Sequence, residues 1–169
     1  KHIYWAINHD FEGFELYYQP IIDINTKSII TLEALLRLKM KDEYIQPKEF
    51  ISLLEQTHLI LPVGRWVLKT AMESWKELQQ LIPGLKMNVN MSFVQVNQNN
   101  SVQMIIDIIK EIDTTLLGIE ITETGELNSN QYYNFCIGLE KGKRALILDD
   151  YGSGFSNVHR LTAAKPQYI

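Results

Sequence analysis

The chain has 169 residues, of which 46% are hydrophobic and 21% charged, and this size and composition suit a single globular domain with a substantial core. Its net charge is −4, and its lysines and arginines are scattered along the chain, which argues against a nucleic-acid polymer as partner. No apolar run approaches the roughly 20 residues of a membrane span, and the first residues lack a signal-peptide layout. We therefore expect a cytoplasmic chain, with any membrane tether elsewhere in its parent protein.

Strand-like and helix-like patterns alternate along the chain. The predicted elements are, in order, strands at residues 14–22 and 29–38, helices at 47–57 and 62–82, a strand at 86–92, a helix at 101–112, a strand at 118–123, a helix at 129–141 and a strand at 145–149, then a short helical stretch at 157–163 and an extended segment at 166–169. A turn-like stretch separates the first two strands, so we expect them to form a hairpin.

This alternation predicts an α/β domain with a parallel sheet of βαβ units, and no linker or repeat divides residues 1–169. A closed (β/α)₈ barrel typically needs about 250 residues, whereas only about six strands are predicted here. Either the natural protein continues past Ile169, or the sheet is an unusual open α/β sheet.

Polar side chains gather on one face of the predicted strands and at their carboxyl ends, where α/β proteins bind ligands. They are Glu33 and Arg37 on the second strand, Asn88 and Asn90 on the third, Glu120 and Glu123 on the fourth, and Asp149 and Asp150 after the fifth. Carboxylates grouped in this way repel one another unless a cation lies among them. Oxygen-only ligands favour Mg²⁺, Mn²⁺ or Ca²⁺ over zinc, and adjacent aspartates suit two ions and displacement at phosphorus.

Five segments follow one another in a characteristic order and spacing. They are residues 18–21 (YQPI), 33–37 (EALLR), 88–92 (NVNMS), 120–123 (EITE) and 149–154 (DDYGSG). Together they resemble the successive motifs of the EAL-domain family of cyclic di-GMP phosphodiesterases. Tyr151 and Ser153 stand where that family usually has Phe and Thr. The resemblance implies a TIM-like (β/α)₈ barrel with an antiparallel first strand, here truncated in about the sixth strand, so that residues 1–169 form an EAL domain incomplete at its C-terminus.

The resemblance also implies a set of site residues. Glu33, Asn90, Glu120 and Asp149 would bind a first Mg²⁺ or Mn²⁺, and Asp149 with Asp150 a second, with Ca²⁺ expected to inhibit. Glu33, Asp149, Asp150 and Glu123 would be the catalytic residues, although the role of Glu123 would be to order a loop that couples the metal site to dimerisation. Gln19, Leu36 and Arg37 would contact the substrate, Arg37 through a phosphate.

The implied activity is metal-dependent hydrolysis of cyclic di-GMP to linear pGpG in bacterial second-messenger signalling. Because the family's catalytic lysine follows a segment like residues 166–169 and a further glutamate lies on a later strand, we expect activity to require residues beyond Ile169. The implied partners are cyclic di-GMP, a second copy of the chain in a homodimer, and a sensory or GGDEF domain in the parent chain. Two alternatives remain open at this point: a catalytically inactive cyclic di-GMP receptor, and a protein-interaction scaffold that binds no nucleotide.

Overall fold

The computed structural model of the protein describes residues 2–109, 116–122, 129–141 and 145–149. Its elements are, in chain order, α1 (His2–Asn8), β1 (Phe14–Ile22), β2 (Ile29–Met40), β3 (Glu43–Ile45), α2 (Pro47–Gln56), α3 (Ile60–Leu81), β4 (Lys86–Asn90), α4 (Phe93–Val96), α5 (Ser101–Ile108), β5 (Leu117–Thr122), α6 (Ser129–Lys141) and β6 (Ala145–Asp149). The segments predicted at 157–163 and 166–169 lie outside the described residues. None of the described helices is long and apolar enough to cross a membrane.

The strands form one sheet in the order β1-β2-β4-β5-β6, with β3 paired to the end of β2. β1 runs antiparallel to β2, whereas β2, β4, β5 and β6 are parallel neighbours. Each new parallel strand is therefore added on the same side of the previous one, which is how the wall of a (β/α) barrel is built. The predicted α/β class and the antiparallel first strand are confirmed.

The turn between β1 and β2 is closed by Asp23. Its Oδ1 accepts the backbone N–H groups of Asn25 at 2.9 Å and Thr26 at 2.7 Å, and the hydroxyl of Thr26 at 3.1 Å. This is the local geometry for which aspartate is favoured in turns. The hydrogen bond from the Thr26 N–H is the main cause of a lowered pKa for the Asp23 carboxyl. Lys27 completes the turn with φ of 56°.

The core lies between one face of the sheet and the helices, above all α3. Buried apolar side chains of β2, β4 and β5 belong to the same core cluster as an apolar stripe of this helix, whose buried members are Ile60, Val63, Val67, Leu68, Ala71, Met72 and Trp75. At the far end of α3, the indole N–H of Trp75 donates to the carbonyl of Leu85 at 2.8 Å. This hydrogen bond joins the helix to the residue that precedes β4, so packing of α3 also sets where β4 begins.

Several boundaries differ from the sequence prediction. Helix α3 begins at Ile60 and not at Pro62. Proline is tolerated at the third helical position because the first four N–H groups of a helix have no acceptor within the helix, so no hydrogen bond is lost. Strand β4 ends at Asn90, and Ser92 instead precedes the short helix α4 as its N-cap, with its backbone N–H donating to Oε1 of Gln95. The elements α1, β3 and α4 were not predicted, since each is shorter than the windows in which periodicity can be detected.

Gly64 provides a test of the packing beside β4. A Cβ added there would lie 2.6 Å from Cδ of Gln95, a buried side chain that holds the N–H of Ser92. We expect Gly64→Ala to lower the free energy of unfolding by about 1–3 kcal/mol, although alanine normally favours a helix. Chemical denaturation would measure the change. Lys69→Ala, at an exposed site of the same helix, is the matched control and should stay within about 0.5 kcal/mol. An unchanged or higher stability of Gly64→Ala would contradict the packing described.

Candidate functional site

The pairing register brings the predicted polar residues to one face of the sheet. Glu33 on β2 lies opposite Asn88 on β4, and Asn90 on β4 lies opposite Glu120 on β5. On the other side of β2, Gln19 of β1 lies opposite Glu33. Since side chains alternate between faces along each strand, these five residues share a face. The apolar residues that alternate with them point to the opposite face, which the helices cover.

Two hydrogen bonds link the acids of this face to the amides. Asn90 donates from Nδ2 to Oε1 of Glu33 at 2.8 Å, and Asn88 donates from Nδ2 to Oε1 of Glu120 at 2.7 Å. Asn88 and Glu120 are each only 7% exposed, so the second bond is made in the protein interior. Buried polar groups are costly unless they are paired. Each carboxylate is therefore held in a defined position by a neutral amide of β4.

The donor set of this face suits a hard divalent cation. Glu33, Asn90 and Glu120 offer carboxylate and amide oxygens, which Mg²⁺ and Mn²⁺ favour, and no thiol or imidazole. Within the described ranges, no three His, Cys, Asp or Glu residues cluster closely enough to form a metal site by themselves. The described part of the face thus supplies two acids and an amide, which is part of a ligand set.

Of the remaining predicted metal ligands, Asp149 lies at the end of β6. The backbone pairing places Asp149 opposite Thr122, two residues beyond the pair formed by Glu120 and Ile147. Asp149 is therefore the last residue of the strand beside β5, as the prediction from the strand end requires. Glu123 and Asp150 lie outside the described residues, and their predicted roles stay predictions.

The predicted substrate residues lie on β1 and β2. Gln19 is exposed on β1, while Arg37 is half-buried four residues beyond Glu33 on the same face of β2. The Arg37 Nη1 donates to the carbonyl of Leu36 at 2.9 Å, and its guanidinium carbon lies 5.8 Å from the centre of the Tyr17 ring. The guanidinium thus lies on the strand face of the acid–amide pairs, and among the described residues it donates one hydrogen bond, to Leu36, of the five that it can donate.

A cavity of about 190 Å³ opens next to these residues, beyond the last β2–β4 pair, which is Ala34 with Val89. Its polar lining includes Arg37, Asn90, Ser92 and Gln95, and its apolar lining includes Leu36 and side chains of α2 and α3. Glu55 of α2 also lines the cavity, and burial raises the pKa of its carboxyl. The site therefore combines a polar, acidic edge with a mainly apolar recess.

Sequence reasoning missed two contributions to this site. Asn88 was placed on the polar face, but its role as the donor that holds Glu120 follows only from the register of β4 and β5. Tyr17 and its contact with Arg37 were not anticipated, because an aromatic residue in a strand is far more often a packing residue. The alternation of Asn88 and Asn90 in the sequence was a signal for the role of Asn88. No local sequence signal indicated the contact of Tyr17 with Arg37.

The parallel wall of strands with acids and amides at their carboxyl ends defines a barrel-type α/β domain with an oxygen-donor site. The chain belongs to the EAL domain family, whose model matches residues 6–169. The predicted family is confirmed by this match.

Relatives of the chain carry names that agree with the family. A probable cyclic di-GMP phosphodiesterase of Escherichia coli, PdeI, is 34% identical to this chain. The match covers 96% of this chain and 22% of that protein. A cyclic di-GMP phosphodiesterase of Pseudomonas aeruginosa is 29% identical, over 86% of this chain and 26% of that protein. The chain therefore spans about a fifth to a quarter of the length of these curated relatives.

Among solved structures, an EAL enzyme determined with cAMP and cyclic di-GMP bound has a TM-score of 0.86 and 25% sequence identity, over 96% of this chain and 46% of that one. The fold is accordingly that of the EAL domain, a TIM-like barrel.

The buried acid–amide pair can be tested by its effect on stability. We expect Asn88→Ala to lower the free energy of unfolding by about 2 kcal/mol, because it removes a hydrogen bond to a buried charged group. Asn90→Ala removes the equivalent bond to half-buried Glu33, which water can replace more easily, and should cost about half as much or less. Urea titration of both variants gives the comparison. Equal costs, or a larger cost at Asn90, would contradict the assignment of the Asn88–Glu120 bond to the interior.

Proposed function

We propose that the protein is a metal-dependent phosphodiesterase that hydrolyses cyclic di-GMP to linear pGpG. The observation that carries the proposal is the pair of acid–amide hydrogen bonds, Asn90 to Glu33 and Asn88 to Glu120, on one face of the sheet beside Arg37. The family match and the names of the relatives support the choice of substrate. Acidic oxygens next to a fixed guanidinium suit a phosphodiester, since the acids can hold cations and the guanidinium can bind the anion.

The cation would be Mg²⁺ or Mn²⁺. Glu33, Asn90, Glu120 and Asp149 would hold a first ion, and Asp149 with Asp150 a second. Bound there, the ions would supply a water of lowered pKa and a Lewis acid at the phosphodiester. The amides of β4 would keep the acids in position before any ion arrives.

The substrate would be oriented by residues on β1 and β2. Arg37 would bind a phosphate through its guanidinium fork, which its bond to the Leu36 carbonyl already orients. Leu36 borders the cavity and Gln19 lies opposite Glu33, which supports the proposal that both contact the dinucleotide. We assign Glu123 a catalytic role through the loop that follows the strand ending at Asp149, which would couple the metal site to dimerisation. In the whole protein, the proposed partners are a second copy of the chain and a sensory or GGDEF domain.

The function is tested by incubating the natural full-length protein with cyclic di-GMP and separating the products by chromatography. We expect pGpG with Mg²⁺ or Mn²⁺, no product after chelation, and inhibition by Ca²⁺. Glu33→Ala should reduce turnover on the order of 10²-fold or more, since even indirect metal-site partners cost 10- to 100-fold. Glu73→Ala, at an exposed acid of α3, should keep full activity and controls for lost net charge.

The outcomes separate the competing functions. Saturable binding of cyclic di-GMP without turnover in either metal would refute the enzyme and identify a receptor. Absence of binding would leave the interaction scaffold. Full turnover by Glu33→Ala would exclude the proposed metal site, even if the protein is a phosphodiesterase.

A further inference from the structure

A group of polar and aromatic side chains surrounds Arg37 on the face that carries the acids. Glu15 on β1 lies directly opposite Arg37, Tyr17 lies opposite Leu35, and Tyr44 of β3 lies opposite Lys39. By the alternation of side chains along strands, all of these belong to the same face. The short strand β3 therefore brings Tyr44 to the pair formed by Glu15 and Arg37.

The three residues from β1 and β3 are connected by hydrogen bonds. The Tyr44 hydroxyl donates to Oε2 of Glu15 at 3.0 Å, and the hydroxyls of Tyr17 and Tyr44 lie 2.7 Å apart. The two rings meet edge to face, with centroids 6.0 Å apart and an interplanar angle of 73°. These contacts fix the Tyr17 ring, and the guanidinium of Arg37 lies 5.8 Å from its centre, within the range of a cation–π interaction.

Within the part of the chain that the structure describes, Arg37 has no acidic partner. Directly opposite residues on antiparallel strands are close enough for long side chains to meet, so Glu15 is the natural ion-pair partner of Arg37. Yet the Glu15 carboxylate is bound by Tyr44, and among the described carboxylates none forms an ion pair with Arg37. An arginine already paired with a carboxylate has fewer donors and less positive charge to offer a phosphate.

We propose that Tyr44 is a positioning residue that keeps Glu15 away from Arg37, so that the guanidinium stays on the Tyr17 ring and open to the phosphate of the substrate. The inference rests on the proposed function, because the phosphate that Arg37 would bind is that of cyclic di-GMP. Tyr44 and Glu15 would control how much of the positive charge of Arg37 is available to it. Without the Tyr44 hydroxyl, the carboxylate of Glu15 turns to Arg37 and competes with the phosphate.

The test is a set of three variants of the full-length protein: Tyr44→Phe, Glu15→Gln, and both together. Tyr44→Phe keeps the ring but frees Glu15, so we expect KM for cyclic di-GMP to rise about 3- to 10-fold, the size of a modest ion pair converted to affinity, with kcat within about twofold. Glu15→Gln alone should behave as wild type. The double variant should return to the wild-type KM, because glutamine carries no charge to pair with Arg37.

A second readout does not depend on turnover. In ¹⁵N–¹H spectra, the Nε–H resonance of Arg37 should shift in Tyr44→Phe and return in the double variant. Thermal denaturation of each variant controls for folding. A wild-type KM in Tyr44→Phe, or a raised KM that Glu15→Gln does not rescue, would overturn the proposal. If the wild type neither binds nor hydrolyses cyclic di-GMP, the proposed function fails, and the Arg37 resonance still decides whether Tyr44 holds Glu15 away.

Discussion

The pairing of β4 between β2 and β5 is the constraint on which the site depends. Because side chains alternate with a period of two, a slip of one residue in either pairing would carry Asn88 and Asn90 to the opposite face and bring Met87 and Val89 out of the core. The register is fixed from both sides. Buried aliphatic groups pack against the helices on one face, and amide-to-carboxylate bonds form on the other. Packing and site geometry are therefore satisfied by the same alignment.

The helix layer contributes to the site through the ends of β4. At its start, Trp75 of α3 binds the carbonyl of Leu85. Just past its end, Gln95 of α4 binds the N–H of Ser92 and occupies the space that Gly64 of α3 leaves open. Both ends of this five-residue strand are thus set by contacts that involve α3. The amides of Asn88 and Asn90 therefore have little freedom to move along the strand. Contacts of α3, which covers the apolar face of the sheet, thus help to position the side chains of the polar face.

The sequence predicted the strands that carry the site, their shared polar face and the antiparallel first strand, because these follow from long periodic patterns and from a turn led by Asp23. Which amide holds which acid could not be predicted, since it depends on the stagger between strands and not on the order of residues in any one strand. The contact of Tyr44 with Glu15 joins residues 29 positions apart through a strand of three residues, too short for a periodic signal. Arg37 was predicted from its motif, whereas its surroundings required the fold.

The acids of the described face are held by amides, and this choice of partner has an electrostatic consequence. A lysine or arginine in the place of Asn88 or Asn90 would fix the carboxylates equally well but would cancel their charge. An amide orients an oxygen through its dipole and leaves the full negative charge in place. At these two hydrogen bonds the partner of the carboxylate is a dipole and not a cation, so a metal ion that binds the acids does not have to displace a positive charge from the amide positions.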